Sequence, residues 1–171
     1  NGTLNGAGGD DTLIGNADAN NTLLGGDGDD FLDGGAGNDT LDGGAGFDIA
    51  NYATASGAVN ADLTSAAITG GGGTDAISSI EGVIGSVAND VFVGTAGANF
   101  LDGGEGTDTM TGGDGDDTYV ADTSADVIVE AAGGGVDLVR TLVSRTLGAF
   151  QENLTLLDVA ANGTGNDLAN V

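Results

Sequence analysis

The chain has 171 residues and a formal net charge of −25, because 27 acidic residues accompany two basic ones, and it contains no His and no Cys. This charge excludes binding to nucleic acid or to anionic membrane surfaces, which requires Lys and Arg, and the lack of Cys excludes disulfides and thiolate zinc sites. No apolar run approaches the roughly 18 residues of a membrane span. The charge therefore indicates small hard cations as partners.

A period of nine residues begins near the amino end. Three copies of the pattern G-G-x-G-x-D-x-U-x, in which U is apolar, lie in register at 25–33, 34–42 and 43–51. Degenerate copies precede them at 6–14 and, with one extra residue, at 15–24. A fixed period of this kind is typical of solenoids, in which each unit is stabilised by stacking on its neighbours.

Each unit predicts a six-residue turn followed by a three-residue strand. Gly adopts the positive φ that tight turns require, and the central residue of a strand points opposite to its two flanking residues. We therefore expect Leu32 and Leu41 to point inward and Asp33 and Asp42 to face water. Two units make one coil, so stacked coils would form two parallel sheets, with their turns on alternating sides.

Residues 52–69 interrupt the period. Val59, Ala61 and Leu63 alternate with polar residues there, which predicts a strand in place of a repeat. The segment 70–78 matches every position of the nonapeptide again. We expect it to open a second block of repeats.

The second block spans 70–130 and keeps the same period. Its apolar eighth positions are spaced by nine residues: Phe92, Leu101, Met110, Tyr119 and Ile128. By the same reasoning, Phe92 and Leu101 would point inward and Asp102 would face water. The remaining residues, 131–171, show alternation over 136–157, which predicts longer, metal-free rungs with degenerate repeats. The blocks 1–51, 52–69, 70–130 and 131–171 would form one continuous solenoid.

The tandem nonapeptides resemble the RTX, or haemolysin-type calcium-binding, repeats of secreted bacterial proteins. The flanking segments SSIEGVIGSVAND at 78–90 and DVIVEAAGGGVDLVRTLVSRTLGAFQENLTL at 126–156 resemble sequences found beside such repeats. The resemblance implies an all-β fold, namely a parallel β-roll: a right-handed, β-helix-like solenoid of short strands with calcium-filled turns. It also implies export of the unfolded chain through a type I secretion channel and folding outside the cell.

Calcium takes six to eight oxygen ligands from carboxylates and carbonyls, which a turn and its equivalent one coil away could supply together. The expected carboxylate pairs are Asp11 with Asp30, Asp30 with Asp48, Asp90 with Asp108, and Asp108 with Asp126. At two further positions an amide replaces one carboxylate, so that Asp117 would face Asn99, and Asp39 would face Asn20 or Asn21. We expect roughly four to six calcium ions, one for each stacked pair of turns.

The candidate metal ligands are sixth-position aspartates and the glycine-rich turns whose carbonyls point toward the ions. The aspartates are Asp11, Asp30, Asp39, Asp48, Asp75, Asp90, Asp108, Asp117 and Asp126. The glycines are Gly26, Gly28, Gly35, Gly37, Gly44, Gly46, Gly104, Gly106, Gly113 and Gly115.

The sequence thus predicts a calcium-binding module that folds when ions bind, as a fragment of a larger protein that is secreted or displayed on a bacterial surface. No enzymatic activity is predicted, because the usual general bases and nucleophiles are absent and the close Asp pairs are better explained as calcium ligands. Two alternatives stay open. One is a polysaccharide- or surface-binding module of an adhesin or epimerase-like protein, and the other is the C-terminal domain of a secreted metalloprotease or lipase.

Overall fold

The computed structural model describes residues 2–17, 19–158 and 161–170, and in these residues the chain forms short strands joined by turns. The strands up to residue 84 are β1 Thr3–Gly8, β2 Thr12–Ile14, β3 Thr22–Asp27, β4 Phe31–Asp33, β5 Thr40–Ala45, β6 Ile49–Asn51, β7 Val59–Asp62, β8 Ala67–Gly70, β9 Gly73–Ser78 and β10 Gly82–Ile84. The later strands are β11 Val91–Val93, β12 Phe100–Asp102, β13 Thr109–Thr111, β14 Thr118–Ala121, β15 Val127–Val129, β16 Leu138–Thr141, β17 Arg145–Thr146, β18 Asn153–Leu156 and β19 Gly163–Thr164. A search of the described residues found no helix long and apolar enough to cross a membrane.

Most strands alternate along the chain between two sheets. In the described residues one sheet has nine strands, in the order β1-β3-β5-β9-β8-β7-β11-β13-β15, and the other has eight, in the order β18-β16-β14-β12-β10-β6-β4-β2. Strands of the repeats pair in parallel with their equivalents one coil away, so Phe92 lies beside Met110 and Leu101 beside Tyr119. This topology is a parallel β-solenoid, and it confirms the predicted all-β roll.

The eighth residue of each repeat fills the space between the two sheets. The side chains there that are at most 1% exposed are Leu23, Leu32, Leu41, Ala50, Phe92, Leu101, Met110 and Tyr119. Complete burial of one such side chain stabilises the fold by about 1.5–3 kcal/mol. Since each coil contributes only two of them, stability depends on stacking. The predicted inward orientation is confirmed.

The ninth-position aspartates are less exposed than the sequence suggests. Asp33, Asp42 and Asp102 are half-buried because the neighbouring strands, at about 4.8 Å on either side, cover much of each side chain. Asp33 accepts a hydrogen bond of 2.8 Å from Asn51 Nδ2, and Asp42 accepts one of 2.8 Å from Ser78 Oγ. Asp33 and Asp42 thus face outward as predicted and also form hydrogen bonds between coils.

The segment between the repeat blocks contains more strands than the alternation predicts. β7 and β8 pair antiparallel, and β8 pairs antiparallel with β9. The residues 70–73, predicted as the start of a repeat turn, instead reverse the chain between β8 and β9, and positive φ at Gly70, Gly71 and Gly72 permits this reversal. The nine-stranded sheet therefore has three strands between β5 and β11, where the other sheet has only β10 between β6 and β12.

The C-terminal part extends the eight-stranded sheet with an altered period. β16 pairs in parallel with β14, placing Leu138 beside Thr118, and β18 follows with Asn153 beside Leu138. The spacing along the chain thus departs from the repeat, and β17 and β19 form a separate two-stranded sheet. The predicted alternation over 136–157 corresponds to strands of this extension.

The core column makes a direct prediction about stability. Leu101→Ala, at a fully buried site, should lower the free energy of unfolding in excess calcium by about 2–5 kcal/mol, because it leaves a cavity between the sheets. Leu142→Ala is the matched control, since Leu142 is 48% exposed, and it should change that free energy by less than about 1 kcal/mol. Urea denaturation followed by circular dichroism measures both, and equal losses would contradict the assignment of the core.

Candidate metal centres

The turns of the repeats lie on two edges of the solenoid. On the first edge, turns 6–11, 25–30, 43–48, 94–99 and 112–117 connect the nine-stranded sheet to the eight-stranded sheet. On the second edge, turns 34–39, 85–90, 103–108 and 121–126, together with the turn that ends at Asn21, connect the sheets in the other direction. Equivalent turns therefore stack on one edge, and consecutive turns lie on opposite edges.

The glycines at the second and fourth positions of the turns have a backbone conformation that residues with a side chain disfavour. The ten predicted glycines have φ between 76° and 143°: Gly26, Gly28, Gly35, Gly37, Gly44, Gly46, Gly104, Gly106, Gly113 and Gly115. A Cβ at Gly44 would collide with the carbonyl oxygen of Gly26, and a Cβ at Gly46 with that of Gly28. Glycine thus lets successive turns stack with backbone carbonyl oxygens between them.

The sixth-position aspartates form a hydrogen-bonded ladder along each edge. On the first edge, the backbone N–H of Asp11 donates to Oδ1 of Asp30, and that of Asp30 donates to Oδ1 of Asp48, both at 2.8 Å. On the second edge, the N–H of Asp90 donates to Asp108 at 2.8 Å, and that of Asp108 donates to Asp126 at 3.1 Å. Each bond joins equivalent residues one coil apart, so the structure brings together the carboxylate pairs that the repeat spacing predicts.

The ladder continues through the positions where an amide replaces a carboxylate. The N–H of Asn99 donates to Oδ1 of Asp117 at 2.8 Å, and the N–H of Asn21 donates to Oδ1 of Asp39 at 2.7 Å. Asn21 therefore occupies the ladder position that the sequence left open between Asn20 and Asn21.

The sequence does not predict three further ladder members, because they lie outside the register of the nonapeptide. Oε2 of Glu81 accepts from the N–H of Asp48 at 2.9 Å, Oδ1 of Asp137 accepts from Asp117 at 3.0 Å, and Oε2 of Glu152 accepts from Asp137 at 3.0 Å. Each precedes an apolar residue by two positions, as the aspartate of the nonapeptide does. An acidic residue two positions before an inward apolar residue was therefore the signal that could have found them.

One carboxylate oxygen of most predicted ligands has no partner. In the described part of the chain, Oδ2 is buried without a hydrogen bond in six of them: Asp11, Asp30, Asp39, Asp48, Asp108 and Asp117. Burying an ionised carboxylate without compensation is strongly unfavourable. The unsatisfied oxygens lie in turns lined by carbonyls, and hard cations with oxygen ligands suit such a donor set. The residues therefore fit calcium.

Burial and mutual repulsion affect the protonation of these groups. Burial raises the pKa of Asp108 to about 7, and the charges of Asp126 and Asp90 add to the effect, while the hydrogen bond from the Asp90 backbone opposes it. Burial likewise raises the pKa of Asp117 to about 6, and it raises the pKa of Asp48. The folded state thus disfavours the charged carboxylates at these positions, and a bound cation would reverse that preference.

Turns that lack the glycines satisfy their own carboxylates. The N–H of Ser86 donates to Oδ2 of Asp90 at 2.6 Å, and the N–H of Thr123 donates to Oδ2 of Asp126 at 3.0 Å. The Oδ2 of a third predicted ligand, Asp75, accepts from the hydroxyl of Tyr52 at 2.7 Å. Asp75, Asp90 and Asp126 therefore differ from the other predicted ligands, because both of their oxygens have protein partners.

Turn 94–99 is closed in the same way by its own backbone. The N–H of Thr95 donates to Oδ1 of Asn99 at 2.7 Å, and Asn99 Nδ2 donates to the carbonyl of Glu81 at 2.9 Å. The side chain of Asn99 therefore has hydrogen-bond partners for both its oxygen and its nitrogen, and it brings no negative charge to this turn.

The family model for the RTX calcium-binding nonapeptide repeat, in four copies, matches residues 1–20, 17–50 and 84–119, which together make up half of the chain. The matched ranges include all six predicted ligands with an unpaired oxygen. A search of curated proteins found no match to this chain.

The first glycine of a turn offers a test of the site geometry. A Cβ at Gly25 would collide with Oδ2 of Asp30 and with the carbonyl oxygen of Gly43, so Gly25→Ala should displace both. We expect the calcium midpoint for folding, measured by circular dichroism, to rise about tenfold, which corresponds to about 1.4 kcal/mol. Gly57→Ala is the control, because nothing lies within 4 Å of a Cβ there; a midpoint equal to that of Gly57→Ala would refute the geometry.

Proposed function

The chain belongs to the family of RTX calcium-binding nonapeptide repeats, and from that premise we propose that it is a calcium-dependent structural module, which folds as ions enter its turns outside the cell. The observation that carries the proposal is the set of buried carboxylate oxygens without partners: Asp11, Asp30, Asp39, Asp48, Asp108 and Asp117. Their number supports the estimate of roughly four to six ions.

The ligands for each ion come from stacked turns. The unpaired oxygen of the sixth-position aspartate supplies negative charge, and the carbonyls of the glycines at the second and fourth positions supply neutral oxygens. This combination of ligands is typical of calcium sites. On this reasoning Gly26, Gly28 and Asp30 act with their equivalents in turn 43–48. These two turns contain no basic residue, and calcium supplies the positive charge.

Asp75, Asp90 and Asp126 remain candidate ligands of a second kind. Their oxygens already accept hydrogen bonds from protein groups, so an ion there would share those oxygens or displace the donors. We therefore propose that these three positions bind calcium more weakly than the glycine-rich turns.

Coupling between binding and folding follows from the charge of the chain. With 27 acidic residues and two basic ones, compaction brings like charges together, and the 35 glycines increase the entropy that folding removes. Ions that bind only the folded state stabilise it in proportion to the logarithm of their concentration. Dissociation constants of about 10⁻⁴–10⁻³ M, as in extracellular modules, would keep the chain unfolded at low cytosolic calcium and folded outside.

This switch suits a protein that is exported unfolded. We propose that the module belongs to a larger bacterial protein that is secreted by a type I channel, and that residues 1–51 and 70–130 are its two calcium-binding blocks. Residues 52–69 join these blocks, and the rungs between residues 131 and 158 are metal-free except at Asp137.

Calcium titration of the full chain tests the proposal. In chelator the far-ultraviolet circular dichroism should be that of an unfolded chain, and millimolar calcium should induce a β-sheet spectrum, because ion binding offsets the repulsion among buried carboxylates. Magnesium at the same ionic strength is the control and should be much less effective, since it requires octahedral geometry and retains its waters. A chain that is already β-rich in chelator, and unchanged by calcium, would eliminate calcium-coupled folding.

Substitutions at two aspartates of one turn distinguish the loss of a calcium ligand from a change in net charge. Asp30→Asn removes a charge at a side chain that is 2% exposed and has an unpaired Oδ2, and it should raise the calcium midpoint about tenfold. Asp27→Asn removes the same charge from an exposed side chain three residues earlier and should leave the midpoint unchanged or slightly lower. Identical midpoints for the two variants would show that only net charge matters.

A further inference from the structure

A group of three carboxylates lies where the last glycine-rich turn meets a loop of different sequence. Residues 130–137, EAAGGGVD, connect β15 to β16 and stack on turn 112–117. This loop brings Glu130 and Asp137 to Asp117, and one carboxylate oxygen from each lies within 4.8 Å of the others. Glu130 and Asp137 both lie outside the ranges matched by the family model.

The two aspartates of this group are buried and incompletely bonded. Asp117 and Asp137 are each 1% exposed. In each, Oδ1 accepts a backbone hydrogen bond, at 2.8 Å from Asn99 and at 3.0 Å from Asp117 respectively. In each, Oδ2 is buried and has no hydrogen-bond partner. Two unsatisfied oxygens in one group require a positive partner more strongly than a single one does.

Glu130 is held toward the aspartates by Tyr119. The hydroxyl of Tyr119, a fully buried side chain, donates to Oε1 of Glu130, and the N–H of Ala131 donates to Oε2 at 3.3 Å. Burial raises the pKa of Glu130 to about 7, and the charges of Asp137 and Asp117 add to the effect. The glutamate is therefore fixed inside a cluster that repels its charge.

Neither arginine of the chain compensates this cluster. The guanidinium of Arg145 donates from Nη2 to the backbone carbonyl of Asp126 at 3.1 Å, on the second edge. Burial raises the pKa of Asp102, and the charge of the nearby Arg140 partly opposes that rise. Among the described residues, two buried aspartates and one half-buried glutamate thus lie together without a basic group.

We propose that Asp117, Glu130 and Asp137 form a site for a hard divalent cation of the calcium class, distinct in composition from the sites of the repeat turns. The identity of the ion rests on the proposed function, whereas the site rests on its own three carboxylates. A repeat site between two stacked turns has at most two sixth-position carboxylates together with carbonyls, whereas this site has three carboxylates. Since affinity for calcium rises with the number of charged ligands, this site binds more tightly than a repeat site.

Tyrosine-sensitised terbium emission tests the site, because terbium is a hard cation with oxygen ligands and emits on tyrosine excitation only when the ring is close. The chain has two tyrosines and no tryptophan. Tyr119 contacts Glu130, and Tyr52 contacts Asp75. Terbium added to the full chain in calcium should give emission with the first equivalent. Tyr119→Phe should abolish that emission, and Tyr52→Phe should preserve it.

Ligand variants complete the test. Glu130→Gln and Asp137→Asn keep hydrogen-bond acceptors but lose charge, so each should need about tenfold more terbium for half-maximal emission. Glu105→Gln, at an exposed glutamate, is the matched control and should resemble the wild type. The proposal is overturned if Glu130→Gln and Asp137→Asn give the same emission curve as Glu105→Gln. It is also overturned if the emission persists in Tyr119→Phe.

The two proposals fail in different ways. If calcium does not change the circular dichroism of the wild type, calcium-coupled folding is refuted. The Tyr119-dependent terbium emission is measured separately and still tests the three-carboxylate site. Conversely, a wild-type chain that folds with calcium but gives no Tyr119-dependent terbium emission would overturn only the three-carboxylate site.

Discussion

The rest of the structure depends on one feature, a buried carboxylate with two unlike oxygens. One oxygen accepts a hydrogen bond from the coil before it, and the other has no partner. Oδ1 of Asp48 accepts the backbone N–H of Asp30, while Oδ2 is buried and unpaired. The first oxygen fixes the register between coils, and burial of the second oxygen without a partner opposes folding. The same side chain therefore orders the coils and offers a ligand atom to a cation.

The composition of the nonapeptide follows from this constraint. The first glycine leaves room for the carboxylate, because a Cβ at Gly43 would collide with Asp48 Oδ2. The glycines at the second and fourth positions bend the turn and let carbonyls approach from the neighbouring coil. A single apolar side chain, such as Leu41, then suffices for the core, because the sheets are narrow and each coil is covered by its neighbours.

The period of nine was enough to predict the parallel roll, the inward leucines and the carboxylate pairs one coil apart, because these follow from repetition alone. Repetition could not reveal that β7 and β8 reverse direction, since alternation of apolar residues is the same in parallel and antiparallel strands. It also missed Glu81 and Asp137, which lie outside the register of the nonapeptide but whose carboxylates hold the same place in the ladder. Nor could spacing distinguish Asp90, which the hydroxyl and N–H of Ser86 satisfy, from Asp108, which retains an unpaired oxygen.

The antiparallel insertion affects the two edges of the solenoid differently. On the first edge, Glu81 accepts from the N–H of Asp48, and its backbone carbonyl accepts from Asn99 Nδ2, so side-chain hydrogen bonds continue from one block to the other. On the second edge, Asp39 bonds to Asp75, whose other oxygen is taken by Tyr52. Since a solenoid is stabilised by contacts between neighbouring units, the first edge and the eight-stranded sheet provide continuous contacts between the two blocks of repeats. Glu81, a residue outside the nonapeptide pattern, contacts both blocks on the first edge.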